Sequence, residues 1–154
     1  MKKLLLLSLL PFCLASCASN AETKAKSHII DTRWSFTETS YIPHYSYDLS
    51  IYKDSYELVY HKDAIHTSDV NEEAEDKGTN GKWEYLTSIS KSWVGDWNAR
   101  HSVTYHIVKI ETNPYDNKSA YLCYELDSNV MYMESEQPNS VDDMTYYIKL
   151  VLKD

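Results

Sequence analysis

Apolar residues recur at every second position through most of this chain, a period that commits it to half-buried β-strands. Tyr45, Tyr47, Leu49 and Ile51 alternate with Ser46, Asp48, Ser50 and Tyr52, so one face of that strand is apolar and the other mostly polar. After a short Lys53-Asp54-Ser55 turn, Tyr56, Leu58 and Tyr60 repeat the pattern, which predicts a hairpin. Tyr146, Ile148, Leu150 and Leu152 do the same at the far end. Further strands are expected at Trp34 to Thr39, Trp83 to Ser90, Ser102 to Glu111, Ala120 to Leu126 and Val130 to Ser135, about eight in all. Their separators are rich in turn formers, as in Asn80-Gly81, Asn113-Pro114, Asp127-Ser128-Asn129 and Gln137-Pro138. Between Val103 and Ile110 the apolar phase slips near Ile107, the pattern either of a bulge or of a strand buried on both faces.

Sequence-adjacent antiparallel strands must bury one face and protect their edges, and closing into an up-and-down barrel does both. The expected fold is therefore all-β, a single antiparallel barrel of about eight strands, with a β-sandwich as its rival. One stretch departs from the pattern. Lys62 to Lys77 is polar, with Asn71-Glu72-Glu73-Ala74-Glu75-Asp76 at its centre. It reads as a long solvated connection, with room for one short helix capped by Ser68 or Asp69.

The amino terminus is of another kind. Lys2 and Lys3 precede an apolar run from Leu4 to Leu14, the order of a secretory signal peptide and too short for a mature membrane span. It ends in Leu14-Ala15-Ser16-Cys17, which resembles the lipobox of bacterial lipoproteins. That resemblance implies a signal peptide over residues 1–16, cleavage before Cys17 and lipid on the Cys17 thiol. Ala18 is not the aspartate that holds such lipoproteins in the inner membrane, so the resemblance implies the cell envelope, and within it the outer membrane, as the address. Residues 17–29 are expected to be the lipidated cysteine and a flexible tether, and residues 30–154 a single domain. Without Lys2 and Lys3, 13 basic residues face all 23 acidic ones, a formal charge of −10, which excludes nucleic acid as a natural partner. Loss of Cys13 and acylation of Cys17 leave Cys123 alone, so the fold has to hold without an internal disulfide.

Several strand motifs resemble the small lipocalin-like lipoproteins of Bacteroidetes and related bacteria. Thr32-Arg33-Trp34 stands where that family opens on a Gly-x-Trp strand, and Lys53-Asp54-Ser55-Tyr56 where it has an Asp-Gly-x-Tyr turn, both here without the glycine. Gly81-Lys82-Trp83-Glu84-Tyr85 keeps a later Gly-x-Trp strand intact. Tyr105-His106-Ile107, Tyr121 to Met133 and Tyr147-Ile148-Lys149-Leu150 look like its closing portion. The resemblance implies a lipocalin-like barrel with room for one small apolar ligand, and brings no catalytic residues with it.

The residues themselves nominate binding rather than catalysis. His61/His66 and His101/His106 are each five apart, which puts each pair on opposite faces of a strand, so a metal at His61 and His66 requires the following loop to fold back with Asp63 or Asp69. No metal or cofactor is expected. Gly-x-Ser-x-Gly, His-Glu-x-x-His and phosphate-cradling glycine loops are all missing from the sequence, and no enzyme is predicted. The 14 tyrosines are the remaining signal, all downstream of the tether. Tyr45, Tyr47, Tyr56, Tyr60, Trp83, Tyr85, Tyr105, Tyr124 and Tyr146 fall on the expected inward rows, where each phenol needs a polar partner. Tyr47, Leu49, Trp83, Tyr85, Tyr105 and Tyr124 are the candidate walls of a pocket for a small apolar or amphipathic ligand. The alternative is a solid barrel whose acidic surface meets a basic envelope protein. Trp93-Val94-Gly95-Asp96-Trp97 is a second aromatic cluster, either a plug at one end of the barrel or an exposed partner patch.

Overall fold

A computed structural model describes residues 20–38, 44–146 and 148–153. The signal peptide, Cys17 and Tyr147 lie outside the described residues. A helix α1 over residues 20–29 is followed by β1 (Thr32–Glu38), β2 (Tyr45–Ile51), β3 (Tyr56–Lys62), β4 (Ile65–His66), β5 (Asn71–Glu72) and β6 (Glu75–Gly81). Then come β7 (Trp83–Val94), β8 (Arg100–Ile110), β9 (Ala120–Tyr124), β10 (Val130–Glu134) and β11 (Ile148–Leu152). The fold is all-β. Among the described residues nine strands make one antiparallel half-barrel sheet in the order β6-β3-β2-β1-β11-β10-β9-β8-β7, and β4 and β5 pair separately. The first and last strands of the sheet order, β6 and β7, are successive in the chain and joined by Lys82 alone.

All eight strands expected from the periodicity are present; the ninth is β6, which arises from the polar stretch read as a connection. Its residues are mostly exposed, and it forms because β3 offers an unpaired edge, taken in register from Tyr56↔Gly81 to Lys62↔Glu75. No helix forms between Lys62 and Lys77. The β4–β5 hairpin stands there instead, its turn closed by Thr67, whose amide donates to the Val70 carbonyl (2.8 Å) while the Val70 amide donates to Thr67 Oγ1 (3.0 Å).

The corner between β6 and β7 is tied across the molecule to the segment after β8. The Tyr56 hydroxyl donates to the Thr112 carbonyl and accepts from the Thr112 amide, both at 2.8 Å, and Thr79 Oγ1 donates to the same carbonyl at 2.9 Å. The Lys82 amide donates to Glu111 Oε2 (3.1 Å). Gly81 is required by this close approach: a Cβ there would lie 2.7 Å from Glu111 Oε2 and 3.2 Å from the Tyr56 ring.

The alternation sorts into two cores. The concave face buries Trp34, Tyr47, Leu49, Ile51, Tyr56, Leu58, Tyr60, Val108, Ile110, Leu122, Tyr124, Met131, Met133 and Leu150. On the opposite face Tyr105, Ile107 and Cys123 pack under Val141 and Met144, the first residue of the 3₁₀ turn Val141–Asp143 and the residue just past its end. Strand β8 is thus buried on both faces, with Val103, Tyr105 and Ile107 on one and His106, Val108 and Ile110 on the other. The register irregularity lies in its partner, between Tyr85 and Thr87 of β7.

Residues 20–29 are not a free tether. Ala25 and Ile29 of α1 are fully buried, four residues apart on one helix face, and Ile29 belongs to the concave core. The Tyr124 hydroxyl donates to the Ala25 carbonyl at 2.8 Å, and the Asp31 amide beyond the helix donates to the Ile51 carbonyl at 2.8 Å. The helix therefore stoppers the end of the sheet at which β2 and β9 finish, and among the described residues, 20–29 pack as part of the folded unit. No described helix is long and apolar enough to cross a membrane.

Candidate functional site

The end of the sheet away from α1, where β2 and β11 start and β3 and β10 finish, carries a cleft of about 710 Å³. Tyr45 and Tyr47 of β2, Tyr60 of β3 and Tyr115 of the β8–β9 loop supply its aromatic walls, with Ile148 of β11. The strand phase places Tyr45, Tyr47 and Tyr60 on the concave face, and the rings meet in a chain: Tyr45 to Tyr60 at 6.4 Å, Tyr47 to Tyr60 at 5.2 Å and Tyr60 to Tyr115 edge-on at 5.6 Å. Phe36 backs Tyr45 and Tyr47 from β1. Tyr115 reaches the site because the Asn113 side chain accepts from its amide at 3.0 Å and folds the loop inward.

Burial gives the phenols of the wall their electrostatics. Tyr47 is 3% exposed and its hydroxyl titrates well above the usual tyrosine range, through loss of solvent first and the neighbouring Tyr60 and Tyr115 second. Tyr60 is raised by burial as well, opposed by Lys62. Charged side chains close the rim: Lys62 pairs with Glu72, which raises the ammonium pKa by hydrogen bonding, and Lys77 sits 2.9 Å from Glu75. Asp116, Asn113 and Ser135 complete it. The arrangement offers an apolar, flat-walled interior and a mixed-charge mouth, the chemistry for gripping the ring or chain of an amphipathic molecule while its polar end stays wet.

Of the six residues nominated from the sequence, only Tyr47 lines this cleft. Leu49 is buried beneath it in the concave core. Trp83 and Tyr85 face that core but lie towards α1, flanking a shallow depression with Lys26, Ile30, Lys53 and Asp54. Tyr124 is sealed under the helix. Tyr105 is on the other face, against Tyr132 and Tyr146, because the odd-numbered row of β8 points away from the concave side. Tyr146 shares that placement. Tyr45 and Tyr60 were legible as inward residues; Tyr115 was not, its one signal being an aromatic inside an otherwise polar turn.

The histidines do not converge. His61 Nδ1 is 2.8 Å from Asp76 and its Nε2 is 3.7 Å from Asp48, whereas His66 lies 2.6 Å from Asn71. Among the described residues no group of three or more His, Cys, Asp or Glu is placed to hold a metal ion. Cys123 is a free, fully buried thiol whose pKa is pushed up to about 12 by burial and by Glu134. Glu134 itself is held by the Thr145 and Tyr146 amides at 3.1 and 2.9 Å, which fixes the approach to β11. No protein-family model, curated protein or solved structure matches the chain.

Proposed function

We propose that this chain is a lipid-anchored binding module of the bacterial cell envelope, probing its surroundings through the tyrosine cleft, with no reaction assigned to it. The observation that carries the reading is the cleft itself: four tyrosines around about 710 Å³, within the usual range for small-ligand sites. In this reading residues 75–94 act as one strand bent at Lys82, its first half paired to β3 and its second to β8. Counted so, eight strands run round a lipocalin-like barrel whose seam is covalent, with α1 as the stopper of one end and the cleft as the mouth of the other. The anchor is Cys17, and the ligand is a small amphipathic molecule.

A second reading keeps the anchor and gives the acidic surface to a basic envelope protein. It is favoured by the filling of the concave face below the cleft, where Trp34, Leu49, Tyr56, Leu58 and Leu122 leave side chains rather than space. Native mass spectrometry on residues 18–154, isolated from an envelope fraction without refolding, separates the two. The binding module carries a stoichiometric adduct of a few hundred daltons, on the scale of a drug-sized occupant, that is lost on denaturation and in Tyr47→Ala and Tyr60→Ala. A bare polypeptide mass, with salt-sensitive capture of a basic partner, sinks it.

A further inference from the structure

Strands β7 and β8 outrun the sheet. Their mutual pairing continues to Val94↔Arg100, whereas β8 pairs with β9 only from His106↔Tyr124 onward. The outer half of this hairpin therefore projects past the end of the sheet that α1 stoppers. Its base is held by the ion pair of Lys91 with Asp142 and by Ile89 and Val103 against the outer core. Among the described residues no ion pair or core contact of that kind holds Val94 to Arg100.

That tip is apolar and bare. Trp97 is 99% exposed, Val94 64% and Trp93 46%. Trp97 sits at φ 62°, ψ 25° and Asn98 at φ 57°, a pair of left-handed residues where a turn of this kind ordinarily takes glycine or asparagine. Its exposure leaves the Trp97 indole pointing away from the protein. Trp93 stacks on His101, 5.5 Å between ring centres, and Gly95 makes room for that ring, since a Cβ there would lie 2.7 Å from it. The charge is equally out of character. From Lys91 to Arg100 the hairpin carries Lys91 and Arg100 against Asp96, in a chain of formal charge −8.

We propose that the Trp93–Trp97 tip inserts into the headgroup layer of an anionic lipid surface, as a second contact beside the N-terminal anchor. Tryptophan is the side chain best suited to that layer, with an apolar body and one N–H for the wet side, and Arg100 beside the turn supplies attraction to anionic headgroups. The geometry agrees with this occupant: the chain enters α1 at the same end of the molecule from which the hairpin projects, so an anchor ahead of α1 holds the tip against the bilayer and turns the tyrosine cleft outward. The inference rests on the anchored reading above: the N-terminal lipid fixes the chain to the bilayer, and the tip sets its orientation there.

The test supplies its own anchor, so that it does not depend on Cys17. Residues 18–154, which contain every described element, are tethered through an N-terminal hexahistidine to nickel-chelating lipid in phosphatidylcholine vesicles, with and without phosphatidylglycerol, whose acyl chains are brominated. Tryptophan emission of the native chain is quenched, more strongly with phosphatidylglycerol. Quenching falls below half of the native value in Trp97→Ala and in Val94→Asp, while their melting curves stay those of the native chain. Quenching of the native chain no greater than that of Trp97→Ala overturns the proposal. So does a soluble dimer that Trp97→Ala converts to monomer, which makes the tip a contact between two copies. An unmodified mass for the chain purified from cells refutes the Cys17 anchor and leaves the vesicle result standing.

Discussion

The two ends of this sheet use the same residue type for opposite purposes. At the end closed by α1, the Tyr124 phenol is buried completely and donates to the Ala25 carbonyl, so the tyrosine serves as a bolt between helix and sheet. At the other end Tyr45, Tyr47, Tyr60 and Tyr115 pack ring to ring around space. Tyrosine content by itself therefore says nothing about a binding site. What separates the two uses is whether an element of the chain covers the ring, and at the helix end α1 provides that cover.

The largest expected effect follows directly. Tyr124→Ala removes a fully buried ring and the bolt together, and by analogy with large-to-small aromatic substitutions should cost about 3–5 kcal/mol in urea unfolding. Tyr47→Ala empties a wall that water can refill from the cleft and should cost a fraction of that while abolishing any adduct. Equal losses at the two positions would erase the distinction between the ends. Next in size is Gly81→Val at the β6–β7 corner, where the new side chain meets Glu111 and the Tyr56 ring. Overpacking of that kind costs about 1–3 kcal/mol. If Gly81→Val melts like the native chain, the corner is not the seam on which both ends depend.

Much of this was legible before the structure. Period-two alternation located the strands and put Tyr45, Tyr47, Tyr56, Tyr60 and Tyr124 on one face, because a half-buried strand leaves that mark wherever one side is wet. It failed at β8, where both faces are covered and Tyr105 was assigned to the wrong one. It missed β6, since an exposed edge strand takes its conformation from its partner's backbone rather than from its own side chains. It missed α1 for a related reason. Ala25 and Ile29 four apart, with the Glu22–Lys26 pair at 2.6 Å, are a helical signal, but one too poor in apolar residues to hold a short helix without the core beneath it.

The helix end should also be the acid-sensitive one. His106 on β8 is buried with Tyr85 OH 3.1 Å from its Nδ1, the Tyr124 ring at 5.7 Å, and His28 of α1 stacked on the same tyrosine at 5.8 Å. Burial first, and His28 second, hold the His106 pKa below the usual histidine range. A folded-state pKa below the unfolded one means that the unfolded chain takes up the proton first as pH falls. Stability is thus full above the ordinary histidine pKa, declines as pH drops through it, and levels off below the depressed value. Melting temperature followed from pH 8 to pH 5, a range that spans the ordinary histidine pKa of about 6.5, should fall for the native chain and flatten in His106→Gln. A slope unchanged by that substitution would move the acid sensitivity elsewhere.

The smallest effects come from deleting one oxygen at each end. Tyr124→Phe keeps the ring and removes the hydroxyl's buried bond to the Ala25 carbonyl, a loss of about 0.5–1.5 kcal/mol for one hydrogen bond. Tyr60→Phe deletes a hydroxyl on a cleft wall and should stay within about 0.5 kcal/mol of the native chain, as substitutions that leave no buried partner orphaned usually do. The pair isolates the point that the larger truncations blur, because volume is unchanged in both and only the fate of the hydroxyl's partner differs. If Tyr60→Phe costs as much as Tyr124→Phe, its phenol is bolted too and the cleft is part of the core. If it costs nothing in stability yet weakens adduct retention, that hydroxyl is reserved for something the chain does not itself contain.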